Sequence, residues 1–269
     1  MKKSCAILLA LLMLFGFAAC GAPGESPSPL TDTDGSKAAQ TELLVSAAAS
    51  LTDALNEVVE NYTAANPHMK ITVNYGASGA LQSQIENGAP ADIFFSAAAK
   101  QMNALNDAGL MVSDSIVTLL KNEIVLVVPK TSALTLSSFE DAAGDTVKSI
   151  ALGDTASVPA GQYAQETFTA LGVWDAVNAK AVFGSDVKQV LSWVAAGDAD
   201  CGVVYSTDAA ADRNVKAVAT APAGTHKDIA YPVGIVKAST QQEAAAGFLS
   251  YLQSDEGLAI FSKYGFLAG

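Results

Sequence analysis

From residue 42 to the C-terminus, short runs rich in β-branched and aromatic residues alternate with stretches whose apolar residues recur at helical spacing. Strands are expected at 42–46, 70–76, 91–96, 123–129, 149–152, 181–183, 201–205, 215–219 and 229–236. Between them, Leu51, Leu55, Val58, Val59 and Tyr62 mark one face of a helix over 51–64. Val187, Val190, Leu191 and Val194 do the same over 187–196. Two more helices, about 241–253 and 254–264, meet at Ser254-Asp255, a capping pair. Strands that alternate with helices imply an α/β fold of mostly parallel sheets covered on both faces. So many strands and helices in 269 residues suit two lobes better than one sheet. Lys121–Pro129 is expected to carry the chain from the first lobe to the second, and Asp228–Val236 to carry it back. The first lobe then comprises 41–122 and 226–269, and the second 123–225.

The first forty residues stand apart from this pattern. Lys2 and Lys3 precede an apolar stretch, Ile7–Phe17, which is too short to span a bilayer and ends in small residues before a cysteine. FAAC at 17–20 resembles a bacterial lipoprotein signal, with Phe at the position where Leu is usual. That resemblance implies cleavage before Cys20 and acylation there, with residues 1–19 removed. An ordinary secretory signal is the alternative, and either one exports the protein. Residues 20–40, rich in Pro, Gly, Ser and Asp, read as a flexible tether. The formal net charge is −12, and loss of Lys2 and Lys3 makes it −14. An acidic protein is repelled by nucleic acid and by anionic membrane surfaces, so neither is an expected partner. With Cys20 acylated, Cys201 has no disulfide partner and is expected to be a small buried hydrophobe.

In α/β sheets of parallel strands, ligands bind beyond the carboxyl ends of strands, where helix N-termini point. Five such junctions occur here: Ala49-Ser50-Leu51, Gly76–Ala80, Asp154–Gly161, Ser185–Val187 and Val204–Thr207. All are lined by small residues and hydroxyls, and no Lys, Arg or His falls at any of the turns. A helix N-terminus offers unpaired N–H groups and a partial positive charge of roughly half an electron. Such ends can hold an anion without a cationic side chain, provided the neighbouring side chains are small. Each junction alone is equally explained by ordinary helix capping. Asp186 is the discordant residue, because a carboxylate repels an anion unless it faces away to cap its own helix.

The same residues carry a family resemblance. AAASLTDAL (47–55), LQSQIENGAPADIFFSA (81–97), VPAGQYA (158–164), GVVYSTDA (202–209) and KYGF (263–266) together resemble the periplasmic molybdate-binding proteins of ABC uptake systems. The resemblance spans about 230 residues. It implies a two-lobed, hinged protein of the type II periplasmic-binding fold that holds a tetrahedral oxyanion between its lobes. It further implies ligation by the hydroxyls of Ser50, Ser78 and Tyr205 and by the backbone N–H groups of Ala160 and Val187. The oxyanion, molybdate or tungstate, is contacted through its oxygens with no direct ligand to the metal. A membrane permease is the implied partner, a monomer the expected form, and no cofactor is expected. Beside Ser78 stand Ala77 and Gly79 rather than further hydroxyls, which bears on fine selectivity. Sulfate, another tetrahedral dianion, is the alternative ligand.

Two other classes remain open. A serine hydrolase requires a base beside its nucleophile. The only histidines, His68 and His226, lie in polar turns, and Gly76–Ala80 lacks the second glycine of a nucleophile elbow. A surface protein that binds only other macromolecules is the third class; scarce aromatics, 7 % of the chain, argue weakly against it.

Overall fold

The computed structural model describes residues 40–269. The expected signal (1–19), Cys20 and nearly all of the expected tether (20–40) lie outside the described residues. The chain builds two sheets. Its elements in order are β1 (Thr41–Ala48), α1 (Thr52–Ala65), β2 (Met69–Gly76), α2 (Ser78–Glu86), β3 (Ile93–Phe95), α3 (Ala99–Asp107) and β4 (Val117–Lys121). There follow β5 (Ile124–Pro129), β6 (Ile150–Gly153), α4 (Pro159–Ala170), α5 (Trp174–Asn178), β7 (Ala181–Gly184), α6 (Val187–Ala196), β8 (Cys201–Tyr205), α7 (Ser206–Ala211) and β9 (Val215–Thr220). The chain ends with β10 (Ala230–Ile235), α8 (Gln242–Leu252), α9 (Asp255–Lys263) and β11 (Leu267–Ala268).

The first sheet has the order β11-β4-β10-β3-β1-β2 and the second β7-β6-β8-β5-β9. Both are mixed rather than mostly parallel. Strands β1, β2 and β3 run parallel, as do β6, β7 and β8. The strands that enter each sheet from the other one run the opposite way: β10 is antiparallel to β3 and β4, and β5 to β8 and β9. The reason is topological. A strand arriving from a neighbouring sheet is not bound by the right-handed crossover that makes βαβ units parallel. The strand expected at 123–129 is β5, and the chain passes between sheets at Asn122-Glu123, just after β4, a strand the sequence reading did not expect. The return passage lies between β9 and β10.

Helix faces follow the apolar spacing. Leu51, Leu55 and Val58 are fully buried at the start of α1 and along it, with Val59 and Tyr62 packed at its edge. Val187, Val190, Leu191 and Val194 bury the inner face of α6. Ser254 caps α9 by accepting a hydrogen bond from the Gly257 N–H at 3.2 Å. Cys201 is buried in β8, and burial pushes its thiol up to about 12, so it stays a neutral packing group.

Register then fixes where functional groups land. Ala47 pairs with Tyr75 and Ala48 with Gly76, so β1 and β2 end level. β1 runs directly into the turn Ala49–Leu51 and β2 into α2 two residues later, which sets Ser50 and Ser78 at one sheet edge. In the second sheet Gly153 pairs with Gly184, which brings the starts of α4 and α6 together in the same way.

Candidate functional site

The two sheet edges face each other across one small cavity. It is lined by Ala48, Ala49, Ser50, Gly76, Ala77, Ser78 and Ala97 from the first sheet's side. From the other side come Val158, Pro159, Ala160, Asp186, Val187 and Tyr205. All five positions expected from the sequence therefore line a single space.

Each is placed by a definite local cause. Ser50 sits in a 3-10 turn, Ala49–Leu51, that leads into α1. Its Oγ lies 3.0 Å from the Tyr231 hydroxyl, in a buried pair. Ser78 is the first residue of α2 and wholly buried. Its Oγ accepts the Ala97 N–H at 3.0 Å, which leaves its own hydrogen to point elsewhere. Ala160 is the second residue of α4, after Pro159, and Val187 is the first of α6. Residues in a first helical turn have no i−4 carbonyl, so both N–H groups are free for other acceptors. Gly161 makes this approach possible: a Cβ there would run into the Gly153 carbonyl, so only glycine lets α4 start so close to β6. Tyr205 ends β8 fully buried, and its hydroxyl has no hydrogen-bond partner among the described residues. Burial, with Tyr231 nearby, holds its pKa well above the ordinary phenol value, so it is a neutral O–H donor.

Charge is kept off the cavity. The Asp186 carboxylate accepts the Gln189 N–H at 2.9 Å and so caps α6. Lys188, the cation nearest in sequence to the site, is tied to Asp53 at 2.8 Å and to Asp208 at 3.3 Å. Burial disfavours its ammonium, but Asp208 and Asp53 outweigh that and raise its pKa. Asp208 is itself buried, and desolvation lifts its pKa to about 6 against the pull of Lys188. Among the described residues no cluster of three His, Cys, Asp or Glu side chains is arranged to hold a metal ion. Neither His68 nor His226 lines the cavity; His226 instead meets Tyr163 edge-on at 5.7 Å.

The lobes touch around this space. The Gly79 N–H donates to the Ser157 carbonyl at 2.9 Å, Gln101 Nε2 to Gln162 Oε1 at 3.3 Å, and Lys188 reaches Asp53 across the gap. Larger surface concavities of about 570 and 610 Å³ lie elsewhere, but among the described residues none that line them carries a buried polar side-chain atom without a partner. Two buried groups behind the cavity escaped the sequence reading, Tyr231 and Asn122. Asn122 Nδ2 lies 3.4 Å from the Tyr231 hydroxyl. Only the fold brings them to Ser50, since each looks like an ordinary strand or turn residue in isolation.

An anion that offers only acceptors is what such a set of neutral donors can hold. Comparison with known proteins points the same way. Residues 43–267 match the family model described as bacterial extracellular solute-binding protein. A Bacillus subtilis (strain 168) protein, YvgL, provisionally named an ABC transporter substrate-binding lipoprotein, is 46 % identical over 268 residues, the whole of both chains. The molybdate-binding protein ModA of Haemophilus influenzae is 41 % identical over 236 residues, covering 86 % of this chain and 92 % of its own. The solved periplasmic molybdate-binding protein of Azotobacter vinelandii superposes with a TM-score of 0.77 at 25 % identity, covering 84 % of this chain and 99 % of that one.

Proposed function

The chain belongs to the bacterial extracellular solute-binding protein family, and from that premise we propose that it is the substrate-binding component of an ABC importer that captures molybdate. Tungstate, of the same charge and shape, is captured with it. Ser50, Ser78 and Tyr205 donate through their hydroxyls, and Ala160 and Val187 through their backbone N–H groups. The anion is held by its oxygens alone, with no direct bond to the metal and no cofactor. The loaded protein, tethered by a lipid at Cys20 to the outer face of the membrane, delivers its cargo to a permease.

One observation carries this reading: the Tyr205 hydroxyl is buried without a partner among the described residues and lines a cavity shared with the Ser50 and Ser78 hydroxyls and two helix starts, where the one carboxylate, Asp186, is engaged in capping its own helix. An orphan hydroxyl of this kind costs about 1–3 kcal/mol. An acceptor-only guest removes that cost. Molybdate, tungstate and sulfate are fully deprotonated dianions near neutral pH, so five donors match them without a salt partner. Hydrogen bonds to a charged group contribute about 1.5–3 kcal/mol each. Donors from both sides of the gap make the closed arrangement the one that ligand favours.

The test is competition calorimetry with molybdate, tungstate and sulfate. Molybdate and tungstate are expected to bind one per chain and to displace each other, with sulfate weaker than both. Stronger binding of sulfate would move the assignment to another oxyanion, and no heat with any of the three would remove it.

A further inference from the structure

The Ser50–Tyr231 hydrogen bond can run in either sense on distance alone, since either hydroxyl can donate across its 3.0 Å. A third residue decides the matter. Asn122 is buried at the passage between the two sheets. Its Oδ1 accepts the Glu123 N–H at 2.9 Å and the Ser206 hydroxyl at 2.9 Å. Those two donors fix which end of the amide is oxygen. The Nδ2 end therefore faces Thr207 Oγ1 at 2.9 Å and the Tyr231 hydroxyl at 3.4 Å. With an N–H aimed at its oxygen, the Tyr231 hydroxyl has Ser50 as the acceptor for its own hydrogen. Ser50 then accepts from Tyr231, and its hydrogen turns away from Tyr231 toward the cavity. Ser78 reaches the same state by a shorter route, because the Ala97 N–H leaves it no choice.

We propose that Asn122, acting through Tyr231, is a positioning residue that locks Ser50 as a donor and so sets the site against anions that retain a proton. This rests on the oxyanion reading given above. Hydrogen phosphate and hydrogen arsenate carry an O–H that must find an acceptor. A freely turning serine would supply one by swinging its hydrogen away; Ser50, with one lone pair taken by Tyr231 and its hydrogen sent inward, presents a donor there instead. Neither Asn122 nor Tyr231 lines the cavity; Tyr231 also meets Tyr205 edge-on at 5.6 Å, so the Ser50→Ala background is what separates the route through Ser50 from one through Tyr205.

A double-mutant cycle tests this. Molybdate affinity and the molybdate-to-phosphate affinity ratio are measured by calorimetry for wild type, Tyr231→Phe, Ser50→Ala and the double variant, with Tm of each ligand-free protein as the folding control. Tyr231→Phe is expected to weaken molybdate about 2- to 13-fold, the worth of one net hydrogen bond, and to lower the ratio. In the Ser50→Ala background it should cost nothing further. Asn122→Ala, measured in parallel, carries the same expectation should Tyr231→Phe fail to fold. Equal losses in both backgrounds, or an unchanged ratio, would overturn the proposal while leaving the oxyanion site standing. A wild type that binds no molybdate would overturn both.

Discussion

In the proposed site Ser50 and Ser78 have one chemical task in different surroundings. Both sit at the end of a parallel strand where a helical turn begins; Ser78 accepts from the Ala97 N–H, and in the proposed arrangement Ser50 accepts from the Tyr231 hydroxyl 3.0 Å away. A hydroxyl whose lone pair is engaged in this way presents its hydrogen, and a charged acceptor gains most from that. Ser50→Ala or Ser78→Ala should each weaken molybdate binding about 10- to 150-fold, from about 1.5–3 kcal/mol per charge-assisted bond. Calorimetric titration reads this directly, and unchanged affinity in both variants would remove them from the site. The junctions that hold these serines were legible in the sequence as hydroxyls beside alanine and glycine at strand ends, a pattern that helix capping explains equally well, and it was the family resemblance that singled the two serines out. Tyr231 was not legible. It is one aromatic in a buried strand, and its function depends on that strand crossing from the other sheet to pass behind Ser50. Asn122 reads as a turn residue for the same reason: its partners are 85 and 109 positions away.

At the scale of elements, the capped start of α6 gives Asp186 a partner within its own helix, which is what a carboxylate at the proposed anion site needs. Asp186 spends its charge on the Gln189 N–H, one turn into its own helix. Asp186→Ala should therefore cost about 0.5–2 kcal/mol of stability through the lost cap, seen as a lower Tm, while molybdate affinity does not fall. A large loss of affinity would mean that the carboxylate itself contacts the ligand. Most elements could be placed from periodicity: α6 was expected and found at 187–196, and β8 at 201–205. Strand β4 was missed because Val117–Lys121 adjoins Ile124–Pro129, and only the two residues between them separate runs that belong to different sheets. Strand direction escaped as well. Local sequence sets side-chain alternation, but whether β5 and β10 run parallel or antiparallel to their neighbours depends on which sheet they enter and from where.

For the whole molecule, the proposed function makes a balance between open and closed lobes the step that converts donors into a receptor. Beside the cavity the ties across the gap include a backbone hydrogen bond at Gly79, an amide pair, and the Lys188–Asp53 bridge, whose side chains are 29 % and 50 % exposed. A partly exposed pair of this kind contributes at most about 1 kcal/mol. Ligand bonds can therefore dominate the equilibrium, and release needs only that they be loosened. Gly79 sets the approach, since a Cβ there would come within 2.6 Å of the Ser157 carbonyl oxygen. Gly79→Ala should hold the lobes apart, weaken molybdate binding, and abolish the ligand-induced decrease in radius of gyration that X-ray scattering should record for wild type. A variant that still contracts on binding would show that closure does not pass through this contact. The most direct test of the central claim is a crystal structure of the protein with molybdate. The expected result is one anion between the sheets, with its oxygens about 2.7–3.2 Å from the Ser50, Ser78 and Tyr205 hydroxyls and the Ala160 and Val187 nitrogens. An anion seated elsewhere, or one clasped by a lysine or arginine side chain, would contradict it.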